Sequence, residues 1–160
     1  MKNTTLCYIE RDGCYLLLHR VKKENDLNRD KWIGIGGKIE ENESPEDCLL
    51  REVREETGLV LNDWRYCGIV TFVSDRWEGE YMHLFHATAF DGVLRDCDEG
   101  VLEWVPKEEF SKLPQWEGDR IFLRLMESQA PFFSLKLCYK GDSLISVSLD
   151  GKPCSRPFLP

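Results

Sequence analysis

The 160-residue chain has no apolar run of membrane-spanning length, so a transmembrane helix is excluded at this level. The opening Met1-Lys2-Asn3-Thr4-Thr5 is not followed by a long apolar stretch, so no signal peptide is expected. Cysteine is present but unpatterned. Cys7, Cys14, Cys48, Cys67, Cys97, Cys138 and Cys154 are odd in number and scattered, with no C-x-x-C pair. That argues against a disulfide framework or a zinc site and for reduced thiols in a cytoplasmic protein. Positive charge is in short supply: 21 Lys and Arg face 29 Asp and Glu, a net charge of −8. A DNA or RNA polymer is therefore a poor partner. A nucleotide is not excluded, because a metal held by carboxylates accepts phosphates locally. Internal repeats, low-complexity tracts and linkers are all absent, so residues 1–160 read as one domain, with an irregular tail from about residue 150. At 31% charged and 42% hydrophobic residues, the composition is that of an ordinary soluble globular protein.

Residues 37–59 stand out. Five acids precede Arg51, and Glu52, Glu55 and Glu56 follow it. Ser44-Pro45-Glu46-Asp47 is a helix start: Ser44 can cap, Pro45 suits the first helical position, and the acids suit the positive end. Gly58 is a helix stop. The spacing predicts about three turns of helix between a Gly34, Gly36, Gly37 loop and a glycine exit. Glu52, Glu55 and Glu56 fall at i, i+3 and i+4, one face of that helix. Like charges so spaced cost a few tenths of a kcal/mol each, so a helix built only for stability would avoid them. Leu49, Leu50 and Val53 point to an adjacent face and can seat the helix on a core. Three carboxylates on a seated helix make a hard, oxygen-rich site suited to Mg²⁺, with Mn²⁺ as the alternative. A solvated acidic face would account for the three acids but not for the spacing of the glycines, Glu43 and Arg51.

The remaining chain reads as strands and two further helices. Strands are expected at 4–10 and 14–20 around the Asp12-Gly13 turn, at 64–74 and 80–90, at 102–105, and at 132–139 and 143–149. Residues 21–31 read as a polar loop able to close over a ligand, and residues 95–100 as an acidic loop. A short helix is expected from Pro106 to about Leu113, and a longer one over 115–129 with Ile121, Leu125 and Phe122 inward. This is an α+β arrangement, a mixed central sheet between helices.

The positions Gly37, Glu43, Arg51, Glu52, Val53, Glu55, Glu56, Gly58 and Leu59 resemble a complete Nudix box. The resemblance implies an α/β/α sandwich and hydrolysis of a nucleoside diphosphate linked to some group X. It implies Glu52, Glu55 and Glu56 as metal ligands, with Glu52 or Glu55 as base. The Gly36 carbonyl is a candidate to complete the metal shell, since glycine lets the backbone approach closely. Arg51 is expected to pair with Glu43 or another box carboxylate and orient it. Lys38 is a candidate phosphate contact, and Glu99 an additional ligand or base, or a solvated loop acid.

The flanks bear on X. Lys31-Trp32-Ile33-Gly34-Ile35-Gly36-Gly37-Lys38, Gly68 to Phe72, Trp116-Glu117-Gly118-Asp119 and the terminal strands with Phe132 and Phe133 resemble the oxidised-purine nucleoside triphosphatases. That implies conversion of 8-oxo-dGTP to its monophosphate in nucleotide-pool sanitation, with Trp116 stacked on the purine, Asp119 reading its edge and Phe72 beside them. Plain core packing is the competing reading of Phe72 and Trp116. Two positions depart from that subgroup. Its purine-contacting Asn falls at Ile33, and its paired acids become Gly118 and Asp119. Other X groups, such as ADP-ribose, a dinucleotide or an ordinary dNTP, and a non-catalytic sensing module are the alternatives. The partner expected is a nucleotide, with neither nucleic acid polymer nor membrane, in a monomer or homodimer.

Overall fold

The computed structural model describes residues 1–22 and 26–158. The expected loop's residues 23–25 and the tail's 159–160 lie outside the described residues. Strand β1 (Lys2–Arg11) turns through Asp12-Gly13 into β2 (Cys14–His19), the hairpin that Asp-Gly predicts. A two-residue strand β3 (Trp32–Ile33) precedes helix α1 (Pro45–Thr57). Strands β4 (Val60–Ser74), β5 (Glu80–Asp91) and β6 (Val101–Pro106) follow, then helices α2 (Lys107–Phe110) and α3 (Asp119–Glu127). Strands β7 (Phe133–Lys140), β8 (Ser143–Leu149) and β9 (Lys152–Pro153) close the chain.

The strands form one mixed sheet in the order β3-β2-β1-β5-β4-β7-β8-β9, with β6 on the other edge of β2. The β1–β5 and β4–β7 pairs are parallel, and the rest are antiparallel. Side chains alternate across the sheet, and both faces are covered. Leu16 and Leu18 of β2 join Cys7, Ile9 and Phe85 beneath Leu49 and Val53 of α1. Tyr15 and Leu17 join Tyr8, Leu84 and Leu135 beneath Ile121, Phe122 and Met126 of α3. This is the α/β/α arrangement that the sequence implies.

Several details differ from the sequence expectation, including the short strand β3 and the start of β4 at Val60 and not near Trp64. The helix expected over 115–129 is α3, which begins at Asp119, and the helix after Pro106 ends at Phe110, not near Leu113. The cause of the late start is that Gln115 and Trp116 form a non-helical connection that carries Trp116 into the core, with a turn at 117–118 before the helix. The tail is not irregular throughout. Strand β9 pairs with β8, Phe158 is buried, and the Arg156 Nη2 amine donates to the Leu144 carbonyl at 2.8 Å. Apolar burial of Phe158 anchors a tail whose proline content suggested irregular structure.

A split in the sheet positions the glycine segment. Beyond Ile9–Leu16, β1 and β2 part, and the segment 32–38 enters between them. It pairs with β2 through Trp32 and Ile33, and with β1 through Ile35 and Lys38. A methyl at Gly36 would lie 1.8 Å from the Thr5 carbonyl oxygen, so only glycine permits this approach.

Candidate active site

Helix α1 is held at both ends. Ser44 Oγ accepts from the Asp47 amide at 3.0 Å, and Asp47 Oδ2 accepts from the Ser44 amide at 3.0 Å, a reciprocal capping box. Gly58 closes the helix in the left-handed region at φ 80°, donating to the Arg54 carbonyl. Leu49 and Val53 are about 1% exposed, each contributing roughly 1.5–3 kcal/mol of burial. Leu50 is only partly buried.

This seating grades the three carboxylates. At about 100° per residue, Glu56 lies nearest the buried Val53 edge, Glu52 next, and Glu55 farthest round. Glu56 is accordingly the most enclosed, Glu52 is half-buried, and the Glu55 side chain is 61% exposed. Glu52 and Glu56 line a cleft of about 430 Å³ together with Gly36, Gly37, Lys38 and Glu99. Glu55 does not; it lies on the outer flank, beside Leu50 and Arg54. The single face expected for the three acids is therefore split.

Arg51 ties the group together. Its Nε and Nη2 donate to the two Glu43 oxygens at 2.7 and 2.8 Å, a forked pair. Its Nη1 donates to Glu52 Oε1 at 2.8 Å and to Glu55 Oε2 at 3.3 Å, and Nη2 reaches the Lys38 carbonyl at 3.1 Å. The Arg51 hydrogen bond, then the Glu40 amide, holds Glu43 down at about 2. Glu52 moves the other way, because burial outweighs the pull of Arg51. Glu56 is pushed up to about 9 by burial and then by the Glu99 and Glu52 carboxylates. The Gly37 Cα stands against Glu52, where a methyl would come within 2.4–2.7 Å of the carboxylate atoms. Lys38 is exposed at the rim.

Among the described residues, no three metal-ligating side chains converge closely enough as they stand to hold an ion. The donor set nevertheless fits a hard divalent cation. Glu56 Oε2 is buried with no hydrogen-bond partner. The raised pKa values of Glu52 and Glu56 mark more buried negative charge than Arg20 and Arg51 offset. Strand alternation gives the Gly36 carbonyl the opposite direction from its neighbours: the Ile35 and Gly37 carbonyls accept from the Cys7 and Thr5 amides of β1. Glu99 Oε2 accepts from Arg20 Nη1 at 2.8 Å.

The cleft continues into an apolar slot, sharing Leu6, Leu27, Asn28, Ile33, Glu80 and Met82 with it. The far wall of the slot is Phe72, Trp116, Asp119 and Tyr139. Phe72 and Trp116 thus line the slot and are also core residues, at 4% and 6% exposure. Tyr139 and Phe72 meet Trp116 edge-on, and the Lys31 ammonium lies 4.5 Å from its ring centre. Asp119 is buried, and that burial raises it to about 8 against the opposing pull of Lys31. Sequence reasoning missed Arg20, Leu27, Asn28 and Glu80. The only signal for the first three was their place in or beside the polar loop that runs into Trp32. Glu80, which pairs with Lys2 at 3.4 Å, gave none.

A capped acidic helix packed on a mixed sheet, beside a glycine segment wedged between two strands, defines a class. Residues 2–126 match the NUDIX domain, and the chain belongs to the Nudix hydrolase family. It is 27% identical over 151 residues to the oxidized purine nucleoside triphosphate hydrolase of Danio rerio, covering 93% of this chain and 94% of that protein. It is 33% identical over 113 residues to the CTP pyrophosphohydrolase of Escherichia coli, covering 69% and 80%. The crystal structure of a MutT protein from Bacillus halodurans superposes with a TM-score of 0.82 at 27% identity, covering 96% of this chain and all of that one.

Proposed function

We propose that the protein is a Mg²⁺-dependent pyrophosphohydrolase that converts a nucleoside triphosphate to its monophosphate and pyrophosphate. Its preferred substrate in this reading is an oxidised purine deoxynucleotide such as 8-oxo-dGTP. The observation that carries it is the continuity of the cleft: an acidic end with the unpartnered Glu56 Oε2 opens directly into an apolar, aromatic-walled slot. The split between a charged end and an apolar end is the split within a nucleotide itself.

Glu52, Glu56 and Glu99, with the Gly36 carbonyl and with Glu55 from the outer flank, would hold the ion. A bound Mg²⁺, or Mn²⁺ in its stead, supplies neutralisation of phosphate charge and acidification of water. The chain supplies the rest. Of the two candidate bases, Glu52 lines the cleft and Glu55 does not, so Glu52 is the better placed to take a proton from an attacking water. Arg51 positions Glu52 by one arm while its other arms hold Glu43 and the Lys38 carbonyl. Lys38 meets a phosphate at the rim. Phe72, Trp116 and Asp119 form the wall against the base. On this reading the partner is a small nucleotide and the site of action is the cytoplasm.

An ordinary pyrimidine triphosphate is the second reading, favoured by one relative's name and by the loss of hydrogen-bonding groups at Ile33 and Gly118. The deciding experiment is hydrolysis of a nucleotide panel with Mg²⁺. The preferred reading expects the highest kcat/KM for 8-oxo-dGTP. Preference for CTP, ADP-ribose or a dinucleoside polyphosphate, with 8-oxo-dGTP ignored, overturns the substrate assignment.

A further inference from the structure

The slot contains an amide whose orientation is fixed by its neighbour. Asn28, in the connection between β2 and β3, lines both the cleft and the slot. Its Oδ1 accepts from Trp116 Nε1 at 2.8 Å. An indole N–H can only donate, so the oxygen of the amide must face Trp116 and the amino group must face elsewhere. The backbone is held as well. The Asn28 amide donates to Asp26 Oδ1 at 3.1 Å, Asp26 Oδ2 is gripped by Arg20 Nε at 2.7 Å, and the Asn28 carbonyl accepts from the Lys31 amide at 2.9 Å. Trp116 in turn is clamped by Phe72, Tyr139 and Lys31. Among the described residues, no acceptor engages Asn28 Nδ2. A rigidly mounted donor at a cavity wall, with its other end already satisfied, is a recognition group.

We propose that Asn28 is a specificity-determining residue that donates from Nδ2 to a carbonyl oxygen on the nucleobase, and that Trp116 acts through it as a positioning residue. This rests on the reading of the slot as the base site. The remaining polar groups of the slot are the carboxyls of Asp119 and Glu80, and a carboxyl oxygen can accept from a ring N–H. An amide donor and a carboxyl in one slot complement a lactam edge, in which a carbonyl lies beside an N–H. An adenine or cytosine edge presents an amino group where the carbonyl would be, leaving two donors opposed. The chemical class selected is thus the lactam bases: guanine, 8-oxoguanine and hypoxanthine among the purines, and thymine and uracil among the pyrimidines. Position 33, where the oxidised-purine enzymes carry their amide, is Ile33 here, and the amide comes instead from the connection that precedes it.

The test is equilibrium binding of dGMP, 8-oxo-dGMP, dIMP, dAMP and dCMP to the full chain in EDTA, so that metal chemistry plays no part. Asn28→Asp keeps the acceptor for Trp116 and the side-chain shape but replaces the donor with an acceptor. The ratio of lactam to amino-base affinity should fall about tenfold, the size of one hydrogen bond, with the melting temperature unchanged. Asn28→Ala adds no charge and should shrink the same ratio. Trp116→Phe, which removes the indole N–H together with the pyrrole ring but leaves an aromatic ring, should shrink it less. A ratio unchanged in both Asn28 variants, or a uniform loss for all five nucleotides, overturns the assignment of Asn28 while leaving the base slot intact. A parent chain that binds none of the five and hydrolyses no nucleoside triphosphate overturns the slot reading itself, and the Asn28 assignment with it.

Discussion

The two ends of the cleft are built on opposite principles. The acidic end comes almost entirely from one continuous stretch, Gly36 to Glu56, with Glu99 added from a loop. Its geometry follows from helix periodicity, two caps and one arginine. The slot draws on β1, β4, β5, α3, β7 and the β2–β3 connection, elements up to 133 positions apart (Leu6 to Tyr139). The acidic end crowds carboxyls out of water with few cations to offset them, and the slot stores apolar area with a few polar groups fixed by side-chain clamps. The lesson is that charge chemistry can be concentrated locally, whereas shape selectivity needs the whole sheet.

The contrast can be attacked at several points, and the largest effect belongs to the acidic end. Glu56→Gln should lower kcat/KM by orders of magnitude, because one carboxylate of the proposed metal site is lost, while thermal melting is little moved, because Gln keeps the side chain's shape and burial disfavours the charged carboxyl there. Glu55→Gln should cost less than Glu52→Gln, following the burial order along the helix. The reverse ranking in steady-state kinetics would mean that the outer flank is the working face. At the slot, Trp116→Ala should cost about 3–5 kcal/mol of stability by chemical denaturation, since Trp116 is a core residue at 6% exposure. Melting unchanged with binding lost would make it a pure recognition residue.

Two smaller effects complete the ranking. Arg51→Lys keeps a charge but loses the fork to Glu43 and the arms to Glu52 and Glu55. Roughly 10- to 100-fold should be lost in metal-dependent activity, with Mg²⁺ titration shifted to higher concentration. The last is read as a pH slope in stability, not as a loss of activity, and concerns Asp119. Burial raises its pKa from an ordinary 3.8 to about 8, so between those values the folded state holds a proton that the unfolded state lacks. Its contribution is fully present below 3.8 and is lost as pH rises through 8, at no more than about 1.4 kcal/mol per pH unit. Asp119→Asn should therefore flatten the fall in melting temperature between pH 5 and 8. An identical fall in both proteins would mean that Asp119 ionises freely.

What could be read from the residues alone tracks how local each feature is. The capping box at Ser44, the stop at Gly58, the Arg51–Glu43 pair and the Asp12-Gly13 hairpin are set by contacts within a few positions, and all are present. The two helices flanking a mixed sheet followed from alternation and element order. The register of β1 against β5, the wedge of residues 32–38 between β1 and β2, and the docking of Phe158 did not, because each depends on pairings between distant segments. The same holds within the candidate site. Periodicity put Glu52, Glu55 and Glu56 on one side of a helix, but only packing against Leu49 and Val53 decided which two reach the cleft. Composition left Trp116 between stacking and core, and the fold makes it both slot wall and core residue.

The sequence by itself therefore determined the family, the helix and the hard-oxygen character of the site, because short-range geometry fixes those. Only the tertiary structure decided that a loop asparagine lines the slot with its amide oxygen held by the Trp116 N–H, because that contact exists only once residues 88 positions apart are folded together.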